Sequence, residues 1–139
     1  MSEPWPADVR TVIVDGNNVV GARADGWWRD RPGAVRRLFG RLRCLHEGWT
    51  GTLFLVLDVP QADLPEGPND GIEVRYPDRK GRNAADDRIV RLLDELAEPG
   101  PAAVAVVTSD RALADSARQR GATVVGAGTF LAHLDHRGC

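Results

Sequence analysis

Cysteine, lysine and long apolar runs are scarce in this sequence, and each shortage narrows what the chain can be. Cys44 and Cys139 are the only cysteines in 139 residues and form no CxxC or similar pattern. Two isolated thiols in a chain of this size read as a reduced, intracellular protein. The longest wholly apolar run, Ala102 to Val107, is far too short to span a bilayer, and the opening MSEPWPADVR has no apolar core of a signal peptide. A cytoplasmic protein without a membrane segment is expected. The sequence also lacks GxxxxGK[ST], a GxGxxG after its first strand, and GxSxG. Those absences argue against a P-loop triphosphatase, a dinucleotide fold and a serine-nucleophile hydrolase.

Excess charge of one sign is missing too. The formal net charge is -2, so nothing in the bulk electrostatics draws in a polyanion, and any nucleic-acid contact must come from a local basic surface. Lys80 is the only lysine among 18 basic residues. Arginine offers a bidentate, permanently charged fork to phosphate, although codon bias accounts equally simply for the imbalance. The arginine clusters are therefore more informative than the total.

What is present reads as one α/β domain over 1–139, with 1–9 as a flexible lead-in. TVIVD (Thr11 to Asp15) and GTLFLVLD (Gly51 to Asp58) are short β-branched or apolar runs of the kind that form buried strands. Between them, Ala34 to His46 places Val35, Leu38, Leu42 and Leu45 at helical spacing, predicting a crossover helix. A Pro-, Gly- and Asp-rich loop from Val59 to Gly71 precedes a short strand, Ile72 to Tyr76. Asn83 is placed to cap a helix over Ala84 to Leu96, which Gly100 and Pro101 would stop. A strand from Ala102 to Thr108, a helix from Arg111 to Arg120 and a strand from Thr123 to Val125 complete the reading. Strands alternating with helices call for a three-layer α/β/α sandwich around a mostly parallel sheet.

In such sheets ligands bind beyond the carboxyl ends of the strands. Three predicted strands run into aspartate there: Asp15, Asp58 and Asp110. Each alone has an ordinary role, in a turn for Asp15 and Asp58 and as a helix cap for Asp110. The convergence of three on one sheet edge is harder to attribute to chance. Asp86 and Asp87 open the following helix, where acids are favoured by the helix dipole. Asp86 stands three before Ile89 and seven before Leu93, on the buried stripe, whereas Asp87 is rotated to the flank. Mutual repulsion of about 1 kcal/mol per pair at 4 Å in water, and about 4 at an effective dielectric of 20, calls for a cation among these acids. Carboxylates without histidine or thiolate are hard ligands suited to Mg²⁺ or Mn²⁺, and such ions hydrolyse phosphodiesters. Asp15 and Asp110 are the first-choice ligands, with Asn17 beside them for a phosphate or a metal-bound water.

These motifs, VDGNNVV (Val14 to Val20), NAADDRIV (Asn83 to Val90) and VVTSDRALADSARQRGATVVG (Val106 to Gly126), resemble the YacP-like branch of the NYN domains within the PIN-like nuclease superfamily. The resemblance implies a PIN-like fold and a metal-dependent, endonucleolytic ribonuclease acting on messenger, transfer or ribosome-associated RNA. It assigns Asp15, Asp86 and Asp110 as catalytic acids, with Asp87 and Asp58 as further metal ligands. Another NYN branch carries an acid two positions after the TSD aspartate, where this chain has Ala112.

For substrate contacts, Arg23, Trp27, Trp28, Arg29 and Arg31 combine stacking faces with phosphate-binding charge, although paired indoles also serve as core or as a subunit contact. Arg79, Lys80 and Arg82 lie just ahead of the acidic helix and offer a phosphate grip. His133, His136 and Cys139 have a metal-like spacing but fall where a chain end frays, so zinc is not expected. A catalytically inactive RNA-binding or ribosome-associated module is the alternative function. A toxin of a toxin–antitoxin pair would share the chemistry, and a homodimer is compatible with the sequence.

Overall fold

The computed structural model describes residues 3–97 and 103–139. Six strands form one sheet in the order β3-β4-β2-β1-β5-β6, comprising β1 (Thr11–Asp15), β2 (Thr52–Val56), β3 (Gly67–Asn69), β4 (Ile72–Arg75), β5 (Val104–Val107) and β6 (Thr123–Val125). Every neighbouring pair is parallel except β3 with β4. The expected α/β sandwich with a mostly parallel sheet is the fold observed.

Side-chain alternation along the strands divides the core in two. Val12 and Val14 of β1 face Leu38, Leu42 and Leu45 of α2 (Arg31–Glu47) and Phe130 and Leu134 of α5 (Ala127–His136). Ile13 points the other way, with Phe54 and Val56, into the layer of α3 (Ala84–Leu96) and α4 (Arg111–Gln119). A one-turn helix, α1 (Gly16–Val20), follows β1 directly, and a 3₁₀ turn at Trp27–Arg29 leads into α2. Asp30 caps α2 by accepting from the Gly33 amide at 3.0 Å.

Several expectations are corrected. Residues 1–9 are not a loose lead-in where they are described: Trp5 is 7% exposed, stacks edge-on against Trp49, and joins the α2/α5 core with Val9. The loop after β2 contains β3, an antiparallel edge strand that periodicity could not reveal in three residues reading Gly-Pro-Asn. Asn83 does not cap α3; it takes a left-handed φ of 61° and its side chain makes no cap bond. Gly100, Pro101 and Ala102 lie outside the described residues. The C-terminal residues do not fray but form α5, whose Phe130, Leu131 and Leu134 are buried. Cys139 is bonded to Cys44 of α2 across 95 residues, so the two thiols expected to be free and reduced form a disulfide. Sequence spacing carried no sign of this pair because the two helices meet only in the packed layer.

Candidate active site

β1 lies at the centre of the sheet, with the chain passing to β2 on one side and later to β5 on the other. The strand order therefore reverses at its carboxyl end, where the flanking connections part and leave a crevice. Asp15 is the last residue of β1, in register with Val56 of β2, while Val14 pairs with Val107 of β5. The next residue must be very small: a Cβ at Gly16 would stand 2.9 Å from the Val56 carbonyl oxygen and 2.6 Å from the Leu57 side chain. Close approach to β2 lets α1 start immediately, turning Asn17 and Asn18 over the sheet edge.

Those two asparagines tie the neighbouring loops together. The Asn17 side-chain oxygen Oδ1 accepts from the Asp58 backbone amide at 2.8 Å, and Asn18 Oδ1 accepts from the Ser109 amide, also at 2.8 Å. Ser109 in turn accepts from the Ala127 amide at 2.8 Å, linking α5 to the same edge. Thr108, 1% exposed, donates its hydroxyl to Asp15 Oδ2 at 2.8 Å and accepts from the Asp110 amide at 3.0 Å. Local sequence spacing does not mark Asn18, Thr108 or Ser109. Only the contact between the ends of β1 and β5 shows them as the frame of the site.

Asp15, Asn17, Asp58, Asp86 and Asp110 line one cavity of about 300 Å³, with Arg82 and Asn83 on its wall. Asp86 is brought there from the opposite layer, as its place on the buried stripe of α3 predicted. Arg88, also buried, donates to the Tyr76 carbonyl at 3.2 Å and holds that first turn of α3 against the end of β4. Asp110 fills both roles expected of it, capping α4 through the Leu113 amide at 2.8 Å while facing the cavity. Asp86, Asp87 and Asp110 also border an adjoining cleft of about 190 Å³, with Ala112 at its side.

The electrostatics follow from burial of like charges. Asp15 is 4% exposed, and burial pushes its carboxyl up to about 6, with Asp86 and Asp110 adding to the rise against the lowering hydrogen bond from Thr108. Burial also raises Asp86, followed by the charges of Asp110 and Asp87. Asp87 itself is exposed and ion-paired with Arg79. That pairing turns Arg79 toward the flank of α3 and leaves Arg82 as the basic residue on the cavity wall.

The remaining predicted contacts lie elsewhere. Arg23 pairs with Asp135 of α5 at 2.8 Å and lines a different cavity. Trp27 and Trp28 meet edge to face at 6.1 Å, beneath Arg31 and Arg29 respectively, and Trp28 is 54% exposed. Lys80 is exposed in the loop before α3. His133 packs edge-on against Trp5, and Cys139 is engaged in the disulfide with Cys44.

The donors around the main cavity are carboxylate and amide oxygens, the chemistry of a magnesium or manganese site. Among the described residues, no three acidic, histidine or cysteine side chains stand close enough to share one ion as placed.

A central parallel sheet with a buried aspartate and further acids gathered at its switch point defines a PIN-like nuclease-family domain. The chain belongs to the YacP-like NYN domain family, whose sequence model matches residues 12–137. It is similar in structure to Rae1 (YacP) from Bacillus subtilis, at 22% identity and a TM-score of 0.70, over 92% of this chain and 75% of that one. A tryptophan-to-leucine mutant of the same Bacillus subtilis protein aligns at 23% identity and a TM-score of 0.73, over 94% of this chain and 77% of the other. At these identities the likeness concerns the fold. No curated protein sequence matches the chain.

Proposed function

We propose that this chain is a metal-dependent ribonuclease that cuts RNA phosphodiester bonds internally. The observation that carries the reading is the buried Asp15 carboxyl, pushed up to about 6 while facing Asp86 and Asp110 across an open cavity at the sheet's switch point. Burying like charges together is unfavourable for the fold alone, and such strain concentrates at functional sites. Family membership supports the same reading.

Asp15, Asp86 and Asp110 would hold Mg²⁺ or Mn²⁺, with Asp58 on the cavity rim and Asp87 at the edge of the adjoining cleft as further ligands. A bound ion would supply charge neutralisation at the phosphate and would lower the pKa of a water so that it can give up a proton and act as the nucleophile. The chain's own groups do the rest. Thr108 holds Asp15 in one orientation through its hydroxyl, and Asn17, whose oxygen is committed to Asp58, turns its amide nitrogen to the substrate as a hydrogen-bond donor. Arg82 holds a phosphate at the cavity wall, and Lys80 and Arg79 extend the basic margin. Trp27 and Trp28, with Arg23 and Arg29, contact the strand farther out by stacking and phosphate pairing. An RNA substrate, whether messenger, transfer or ribosome-associated, sets the work in the cytoplasm, where thiol exchange would act on the Cys44–Cys139 bond.

The test is cleavage of a labelled RNA mixture by purified protein with Mn²⁺, Mg²⁺ or EDTA, with Asp15→Asn alongside. Metal-dependent cutting that disappears in the variant is the expected result. Binding without cutting under every metal would instead favour an inactive RNA-binding module.

A further inference from the structure

The proposed active site has a difficulty that its own geometry exposes. Four aspartates face the cavity against Arg82 alone, so even one bound divalent ion leaves it without the net positive charge that would draw in a polyanion. Binding energy for RNA must come from a basic surface within reach of that cavity.

One such surface lies at the other end of α1. A cavity of about 260 Å³ opens where α1, α2 and α5 meet. Val20, Leu38 and Leu131 form an apolar floor, and Arg23, Arg37 and Arg41 stand around it. Asp135 is shared by two of them, with Arg23 at 2.8 Å and Arg41 at 2.5 Å, and Arg41 is further fixed by donating to the Cys139 carbonyl at 3.0 Å. Arg37 is exposed and makes no ion pair among the described residues. With Asp25 on the rim, three guanidiniums oppose two carboxylates, which leaves the cavity positive where the active site is negative.

The two cavities share α1. Asn17 and Asn18 face the acids, whereas Val19 and Val20, less than one helical turn further on, face the basic cavity. A chain of alternating phosphates and flat, weakly polar bases matches this order of features. A cavity of this size, below the usual range for small-molecule pockets, admits part of one nucleotide and is too small for a helix or a folded partner.

We propose that this cavity is a nucleotide subsite for single-stranded RNA flanking the scissile bond. Arg37 binds the phosphate, and Val20, Leu38 and Leu131 receive the sugar or base face. Arg23 and Arg41, held by Asp135, keep the cavity open and positive. The side chains of Val20, Leu38 and Leu131 carry no hydrogen-bonding groups, so this part of the subsite reads the strand's presence and not its sequence. This inference rests on the ribonuclease reading above.

The test is fluorescence anisotropy of a short labelled single-stranded RNA over a salt series, in an Asp15→Asn background that prevents cleavage. Arg37→Ala should weaken binding about tenfold and reduce the slope of log affinity against log salt by about 0.7, the loss of one phosphate contact on a single strand. Arg37→Lys should retain the slope. Arg43→Ala, which removes an arginine from the same helix that instead pairs with Asp70, should change neither. Equal behaviour of the Arg37 and Arg43 variants, or an unchanged slope in Arg37→Ala, would overturn the subsite, while cleavage by the wild-type protein would leave the nuclease reading standing. Absence of RNA binding by the Asp15→Asn parent and by wild type would overturn the subsite, and loss of cleavage by wild type would show separately that the nuclease reading had failed with it.

Discussion

Asp15 is a carboxylate whose charged form the fold disfavours. Its folded pKa of about 6 lies above the ordinary 3.8, so between those values the native state binds more protons than the unfolded chain. Stability without metal therefore falls as pH rises from about 4 to about 6 and stays lower above that. The difference corresponds to at most about 3 kcal/mol at 1.36 kcal/mol per unit. Asparagine mimics the protonated form and keeps an oxygen for the Thr108 hydroxyl. Asp15→Asn should therefore be the more stable protein above pH 6 in EDTA, with the advantage gone near pH 4. Urea titrations across that range measure it, and equal stability at every pH would show that Asp15 carries no such penalty. This acid was legible as a strand-terminal aspartate. Its partner Thr108 was not, because a threonine before Ser-Asp reads as a turn until β1 and β5 lie side by side.

At the scale of elements, α1 decides whether the site exists. It is too short to be stable alone and is held by its contacts with the sheet edge through Asn17 and Asn18. Gly16 permits that approach. Gly16→Ala would set a methyl group against the Val56 carbonyl and Leu57, and overpacking of this kind costs about 1 to 3 kcal/mol. The expected outcome is a lower melting temperature together with loss of cleavage, because Asp15 and Asn17 move as one unit. A variant as stable and active as wild type would show that α1 has room to shift. Sequence reasoning placed the helices α2, α3 and α4 well because each carries a clear apolar stripe. It missed α5, which reads Ala-Gly-Thr at its start, and β3, whose three residues owe their strand to pairing with β4.

For the whole molecule, the N- and C-terminal segments close the α2/α5 layer. Trp5 packs on Phe130, Arg137 pairs with Glu3 at 2.8 Å, and the Cys44–Cys139 bond fastens the end of α5 to α2. A crosslink between residues 95 apart removes much freedom from the unfolded chain. Reduction, or Cys139→Ser, should cost about 2 to 4 kcal/mol in the chain-entropy model. Thermal melts with and without reductant check this, and an unchanged midpoint would show that the packing of α5 suffices. No helix among the described residues is long and apolar enough to cross a membrane.

The sequence alone determined the alternation of strands and helices, the parallel sheet, and the placing of acids at the carboxyl ends of its central strands. Local periodicity and strand-end position are one-dimensional properties, and they survive without knowledge of contacts. Tertiary structure decided the rest. It gave Asn18 and Thr108 their partners, joined Cys44 to Cys139, and set a basic cavity behind α1. Each of these depends on groups distant in the chain meeting at one point, and nothing in local spacing encodes that meeting.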